Sequence, residues 1–284
     1  MKTAFKILYA PALLAGASLA AYALVAARVS PAWLLAWLAG VLSIDAAAAR
    51  VAPWMPGGDP ADLPRDLAHA VANESLTMAG LVLVPWLAAR SPWHAAWPAA
   101  WPLALQWLLA VLAADTGITL MHAASHRVGW LWRFHAVHHS VRHLHGLNGL
   151  LKHPLHQLLE TLAGVAPLVL AGLPLRVAEL LACSVALQLT LQHSNVDMRI
   201  GPLRHLLALA PVHRFHHRDR AGIGDVNFGL FTTLVDRLLG TRVDDPRWAF
   251  AADGFGIAGR PDYPHAWRAQ LLEPFRLRRS AAPA

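Results

Sequence analysis

Cysteine is nearly missing from this chain. Cys183 stands alone among 284 residues, which excludes an internal disulfide and any cluster of thiolate metal ligands. Charge is scarce too: Asp, Glu, Lys and Arg make up 14% of the sequence, where an ordinary soluble domain carries about a quarter. With 56% hydrophobic residues beside that deficit, the chain reads as neither a water-soluble globule nor a disordered segment. No Gly-x-Gly-x-x-Gly run follows a strand pattern, no nucleic-acid motif accompanies the basic residues, and no solenoid repeat is visible. Carboxylates are thin in the middle of the chain, where Glu160, Glu179 and Asp197 are the only ones between residues 122 and 217.

Long apolar runs are plentiful. A crossing helix needs about 20 mostly apolar residues, and residues 7–27 and 31–49 qualify, separated by Arg28 and the Ser30–Pro31 break. A shorter run covers 75–89 and ends at Arg90. A fourth covers 97–121, with Trp97, Trp101 and Trp107 as an interfacial belt near its start. Lys2 and Lys6 before the first run also suit a cleavable signal peptide, but the second full-length run that follows at once favours a retained helix. The proline-rich residues 51–66 read as a connecting loop. The stretch 161–192 is divided by Gly172-Leu173-Pro174 and carries Arg176 and Glu179, which are costly at mid-bilayer; it reads as a shallow helical hairpin dipping into the membrane.

The expected fold is therefore all-α. Transmembrane helices occupy residues 1–121 of a polytopic bundle, a helical metal-binding lobe occupies 122–242, and a polar tail occupies 243–284. Lys2, Lys6, Arg50 and Arg65 against Arg28 and Arg90 put the N-terminus and the lobe on the cytoplasmic side, at the inner membrane in a bacterium. The net charge is +7, and thirteen of the 24 basic residues lie between Arg199 and Arg279. That basic third suits anionic lipid headgroups or an acidic protein partner rather than nucleic acid.

Histidine is the abundant polar residue. Fourteen of 17 fall within residues 122–217, where even spreading would place roughly six. His122 and His126 are four apart. His135, His138 and His139 form a His-x-x-His-His set, and His213, His216 and His217 repeat it. Positions i, i+3 and i+4 of a helix share a face, so each set aims two or three imidazoles at one point. Three such helices packed together surround two metal ions with eight nitrogens. The Glu-x-x-His pattern of soluble di-iron bundles is missing, and imidazole alone does not choose among zinc, copper, iron and nickel. His69, His94 and His265 read as structural.

With these spacings the chain resembles the sterol desaturase/fatty acid hydroxylase superfamily of membrane di-iron oxygenases. The resemblance runs in order through Asp115, the His122–His126 box, Leu131–Ser140, Lys152-His153-Pro154-Leu155, Gln192-His193-Ser194-Asn195, Pro211–His217, Asp225–Gly229 and Asp236–Thr241. Ala123 stands where the family's first box usually carries Arg, and Val235 and Leu239 replace aromatics of its last element. The resemblance implies a dinuclear iron centre with dioxygen as co-substrate, and zinc as a substitute ion in purified protein. Its direct ligands are His122, His126, His135, His138, His139, His213, His216 and His217, with His193 as a ninth. His153 is either a further ligand or a structural residue before a proline turn. Asn195 either holds a metal-bound water or closes a turn, and Asp115 either receives an imidazole N–H or packs a helix.

The implied reaction is hydroxylation or desaturation of a membrane lipid of sterol or fatty-acyl type, driven by two electrons per turnover. Neither a flavin- or nicotinamide-binding motif nor a cysteine cluster is present, so a separate carrier of ferredoxin or small haem protein type is expected to dock on the basic third. Competing readings are a carotenoid or isoprenoid hydroxylase or ketolase, a metal transporter, and a haem protein with paired axial histidines.

Overall fold

The computed structural model describes residues 2–219, 224–244 and 254–276. Of the expected polar tail, residues 245–253 and 277–284 lie outside the described residues. Helices dominate: α1 (Lys2–Ala26), α2 (Ala32–Val51), α3 (Asp62–Arg90), α4 (Leu103–Arg127), α5 (Gly129–His139), α6 (Pro154–Gly164), α7 (Ala166–Leu170), α8 (Leu175–His193), α9 (Ala210–His213), α10 (Leu234–Leu239) and α11 (Trp267–Leu272). Among the described residues there is no strand, only three isolated bridges.

Five helices, α1 to α4 and α8, are long and apolar enough to cross a membrane. The axis of the bundle is α8, against which α1, α2, α3 and α4 all pack. Its most apolar stretch is 67% buried, against 33% or less in the other four. Leu8, Leu19, Trp33, Val82, Trp86 and Leu108 are exposed, which fits an apolar solvent around the outer helices. At one end, α1 is fastened by the Lys6–Asp197 ion pair and by the Tyr9 hydroxyl, which donates to Asp45 at 2.5 Å.

Two expected boundaries move. Helix α3 begins at Asp62, not near 75, and so takes up the end of the stretch read as a loop. Its first three turns are polar yet buried (Asp62, Arg65, Asp66, His69, Asn73) because they pack into the histidine-bearing end of the molecule. The hairpin expected as a shallow dip has two long arms, and α8 is among the helices long and apolar enough to cross a membrane. Helices α6 and α7 run almost end to end from Pro154 to Leu170, about 25 Å at 1.5 Å per residue, and α8 returns about 28 Å. At its tip the Ser91 hydroxyl donates to Leu170, Arg176 donates to Ala26 at 3.0 Å, and Gly172 lies against the backbone of His94. The tip therefore reaches the level where α1 ends and α3 hands over to α4. Arg176 sits at that end of the bundle rather than at its middle, with Glu179 one turn further into α8.

Helices α4 and α6 meet backbone to backbone. A Cβ at Gly117 would stand 2.2 Å from the carbonyl oxygen of Ala163, and one at Gly164 would stand 3.0 Å from that of Ala114. Small residues at such a crossing let helices in an apolar solvent gain dispersion contact.

Candidate metal centre

Nine histidines converge where α4, α5, α8 and the α9 segment meet, and they fall into two groups. His122, His126, His135, His139 and His216 form one; His138, His193, His213 and His217 form the other. Within each group the ligand nitrogens lie within 4.8 Å of one another. The two His-x-x-His-His sets are used reciprocally. His135 and His139, an i, i+4 pair, serve the first group while His138 turns to the second. His213 and His217 serve the second while His216 turns to the first. A residue three positions along a helix is rotated about 60° from the first, enough to aim the ring at a neighbouring point.

Five of the nine rings are oriented from behind, while Nδ1 of His135, His213 and His217 is buried without a hydrogen-bond partner. His122 Nδ1 lies 2.8 Å from the Phe228 carbonyl, His216 Nδ1 2.9 Å from that of Val226, and His138 Nδ1 3.0 Å from that of Leu151. His126 Nδ1 meets the Asp225 carboxylate at 2.8 Å, and His193 Nδ1 meets the Asn148 side-chain oxygen at 3.2 Å. Oxygen acceptors assign the proton to Nδ1, which leaves Nε2 as a bare lone pair facing the cluster. In the first group His122 Nε2 stands 2.9 Å from His216 Nε2, and His139 Nε2 stands 3.1 Å from His126 Nε2 and 3.0 Å from His135 Nε2. In the second, His213 and His217 Nε2 are 3.0 Å apart. His122 and His216 are both held at Nδ1 by carbonyls, so their Nε2 lone pairs face each other and repel unless a cation lies between them.

The donor set fits two divalent transition-metal ions. Nitrogens bound at about 2.1 Å and at right angles around one ion stand about 3 Å apart, as these do. His193 Nε2 is buried without a partner and belongs to the second group. All nine residues are 7% exposed or less. Burial, reinforced by neighbouring imidazoles, holds His135, His138, His139, His213, His216 and His217 well below the ordinary imidazole range. They are neutral at pH 7, the form that ligates.

Three expected site residues are engaged elsewhere. His153 caps α6, its Nδ1 accepting from the Leu155 N–H at 3.1 Å while Nε2 faces the Leu271 carbonyl at 3.2 Å. With both ring nitrogens occupied, it belongs to neither group. Asn195 spends its amide on Met55, accepting from the N–H at 3.0 Å and donating to the carbonyl at 2.9 Å; it ties down the loop after α2 rather than a water on the metals. Asp115 reaches no imidazole. Its carboxylate accepts from Phe231 N–H at 2.8 Å, Thr232 N–H at 3.1 Å and Thr232 hydroxyl at 2.6 Å. Asp236 clamps the same loop from the other end, accepting from the Phe228 and Gly229 N–H groups at 2.8 Å. Both acids thus hold the segment whose carbonyls orient His122 and His216.

Sequence reasoning missed Asp225 and Asn148 as orienting groups. Asp225 belongs to a run already matched to the family, and it is the acid nearest the last histidine set save Asp219; Asn148 carries no local signal. It also missed a polar cluster behind His135. The His156 ring centre lies 4.5 Å from that of His135, and its Nε2 pairs with the Ser125 hydroxyl at 2.9 Å. Nearby, Lys152 and Glu160 form a buried ion pair at 2.5 Å. A small cleft opens onto the first group, lined by His126, His139, His216, Trp132, Asp225 and Ile257 among others.

Comparison with known proteins agrees with this arrangement. Residues 107–241 match the profile described as fatty acid hydroxylase. An ornithine lipid hydroxylase of Rhizobium tropici is 36% identical over 172 residues, 61% of this chain and 51% of that protein. The alkylglycerol monooxygenases of Danio rerio and Homo sapiens are 29% and 28% identical over 135 residues, 48% of this chain and 30% of theirs. The chain thus spans about half the length of the bacterial relative and less of the vertebrate ones. No solved structure matches the chain. The segment that carries both groups of imidazoles, residues 107–241, is thus the part of the chain similar to the fatty acid hydroxylase family.

Proposed function

We propose that this protein is a membrane-bound lipid hydroxylase that holds two iron ions. The observation that carries the reading is the pair of adjacent imidazole groups, nine buried rings of which five are pinned at Nδ1 by an oxygen. Iron bound there supplies dioxygen activation for oxidation of an unactivated C–H bond. The overall balance is R–H + O2 + two electrons + two protons giving R–OH + H2O. The names of the relatives, a hydroxylase and monooxygenases that act on lipids, favour oxygen insertion over desaturation.

The chain's own residues hold and shield. His122, His126, His135, His139 and His216 take one ion; His138, His193, His213 and His217 take the other. Asp225, Asn148 and the carbonyls of Leu151, Val226 and Phe228 fix the tautomers, so the rings need no reorientation when the metal charge changes. The aromatic rings of Trp132 and Phe228 pack against His126, with ring centres 5.0 and 5.1 Å away, and exclude water. The bundle in residues 1–121 and the α6–α8 hairpin anchor the histidine region in the bilayer, the boxes facing the cytoplasm by the Lys/Arg bias of the connecting loops. Electrons come from a separate carrier. A transporter fits less well, because its ligands would sit near mid-span, whereas His122, His126 and His193 stand at helix ends.

The test is expression in a host that lacks the chain, with metal analysis of the purified protein and mass spectrometry of the host lipids. Two iron ions per chain, and one oxygen atom gained by one lipid class in air but not under nitrogen, are expected. An iron-loaded, reduced protein that leaves every lipid unchanged overturns the reading.

A further inference from the structure

One of the apolar faces outside the long helices is set among arginines. Leu203 and Leu206 in the turn around Gly201–His205, and Leu234 and Leu238 on α10, are exposed, Leu238 by 87%. The two segments are locked together: Thr233 N–H donates to the Leu206 carbonyl at 2.9 Å, the Thr233 hydroxyl donates to the His205 carbonyl at 2.8 Å, and Arg237 donates to that same carbonyl at 2.7 Å. Interleaved with the leucines are Arg204, Arg237 and Arg242. Among the described residues one outward carboxylate answers them, Asp244, which Arg204 reaches at 3.1 Å and Arg242 at 3.3 Å; Asp236 is turned inward onto the Phe228–Gly229 amides.

The height of this face along the bundle decides what covers it. Its root is bonded to Asp115 through Phe231 and Thr232, and to Gln188, which donates to the Ala208 carbonyl at 3.0 Å. Asp115 precedes His122 by seven residues, about 10 Å along α4. Gln188 precedes His193 by five residues on α8, roughly 7 Å. The root of this face therefore lies on the apolar side of the histidines, where α10 packs against α4. A soluble partner approaches from the polar end and meets arginines without leucines. A bilayer boundary at this height meets both, with apolar side chains at the acyl edge and guanidinium groups extending to phosphates.

We propose that the 201–206 turn and α10 form a foot that seats the protein in an anionic leaflet, Leu206, Leu234 and Leu238 at the acyl boundary and Arg204 and Arg237 on lipid phosphates. The proposal rests on the membrane placement alone and not on what the site oxidises, so its test needs no turnover. The basic residues in this part of the chain are then a lipid contact rather than a protein dock.

The experiment uses the full chain in lipid nanodiscs. Leu238→Cys carries a spin label, since Cys183 is buried, and collision with oxygen is compared with collision with a water-soluble nickel chelate. Leu112→Cys serves as the lipid reference and Ala61→Cys as the water reference. The label at 238 is expected to behave like that at 112; behaviour like 61 overturns the foot, as does spin–spin broadening that reports a second copy there. Leu206→Cys gives an independent position should the first variant fail to fold. For the headgroup, phosphatidylglycerol is expected to raise the unfolding temperature of the unmodified chain above its value in phosphatidylcholine. Arg204→Gln with Arg237→Gln is expected to abolish that difference. Equal temperatures in both lipids, or an undiminished difference in the double variant, overturn the phosphate contact. A label exposed to chelate and protected only by an acidic soluble protein assigns the face to that protein instead.

Discussion

An imidazole becomes a ligand through what holds its other nitrogen. Asp225 does this for His126 with a charged acceptor, which strengthens the donor power of Nε2. Asp225→Asn keeps the hydrogen bond but removes the charge, and it is expected to weaken metal retention in the first group about 10- to 100-fold. Dialysis against graded chelator followed by metal analysis reads this as one ion lost earlier than the other. His153→Ala in the same assay is expected to retain both ions, because neither of its ring nitrogens faces a group; loss of metal there would restore it as a ligand. Eight of the nine convergent histidines were legible because ligands on helices must repeat at three and four residues, whereas His193 stands alone in the sequence and came from the family resemblance. Asn195 and Asp115 were not legible, since their partners lie 140 and 116 or more residues away. Local spacing carries no record of which distant backbone a side chain will satisfy.

At the level of helices, hydropathy located the bundle and misplaced some of its edges. Helix α3 was legible only where it is apolar. Its polar first turns lie against other protein, with His69 bonded to the Lys152 carbonyl at 3.0 Å and to Gln270 at 2.9 Å. A helix whose polar half is buried in protein defeats a scale built on burial in lipid. The height of Arg176 was not legible for a related reason: its position at one end of the bundle depends on its bond to the Ala26 carbonyl, 150 residues away. The α4–α6 crossing depends on two glycines, and Gly117→Ala is expected to destabilise the protein by about 1–3 kcal/mol through overpacking. Gly40→Ala in α2, with nothing within 4 Å of the new methyl group, is expected to hold or slightly gain stability. Thermal unfolding in one detergent compares the two; equal behaviour would mean that the crossing is looser than the backbone distances state.

For the whole molecule, the arrangement predicts sidedness. Ala61, between α2 and α3, and Ala99, between α3 and α4, are both exposed and lie at opposite ends of α3. In intact cells a membrane-impermeant thiol reagent is expected to label Ala99→Cys and spare Ala61→Cys until the cells are opened. The reverse pattern would turn the histidine groups outward and contradict the Lys/Arg bias. The glycine crossing also bears on traffic. Backbones that touch along α4 and α6 leave no slit for a hydrocarbon tail, so that seam is a closed wall beside the cluster. For the proposed lipid reaction, a hydrocarbon tail would have to come round by another side of α4, and the seam it used would decide which of its carbons met the imidazoles first.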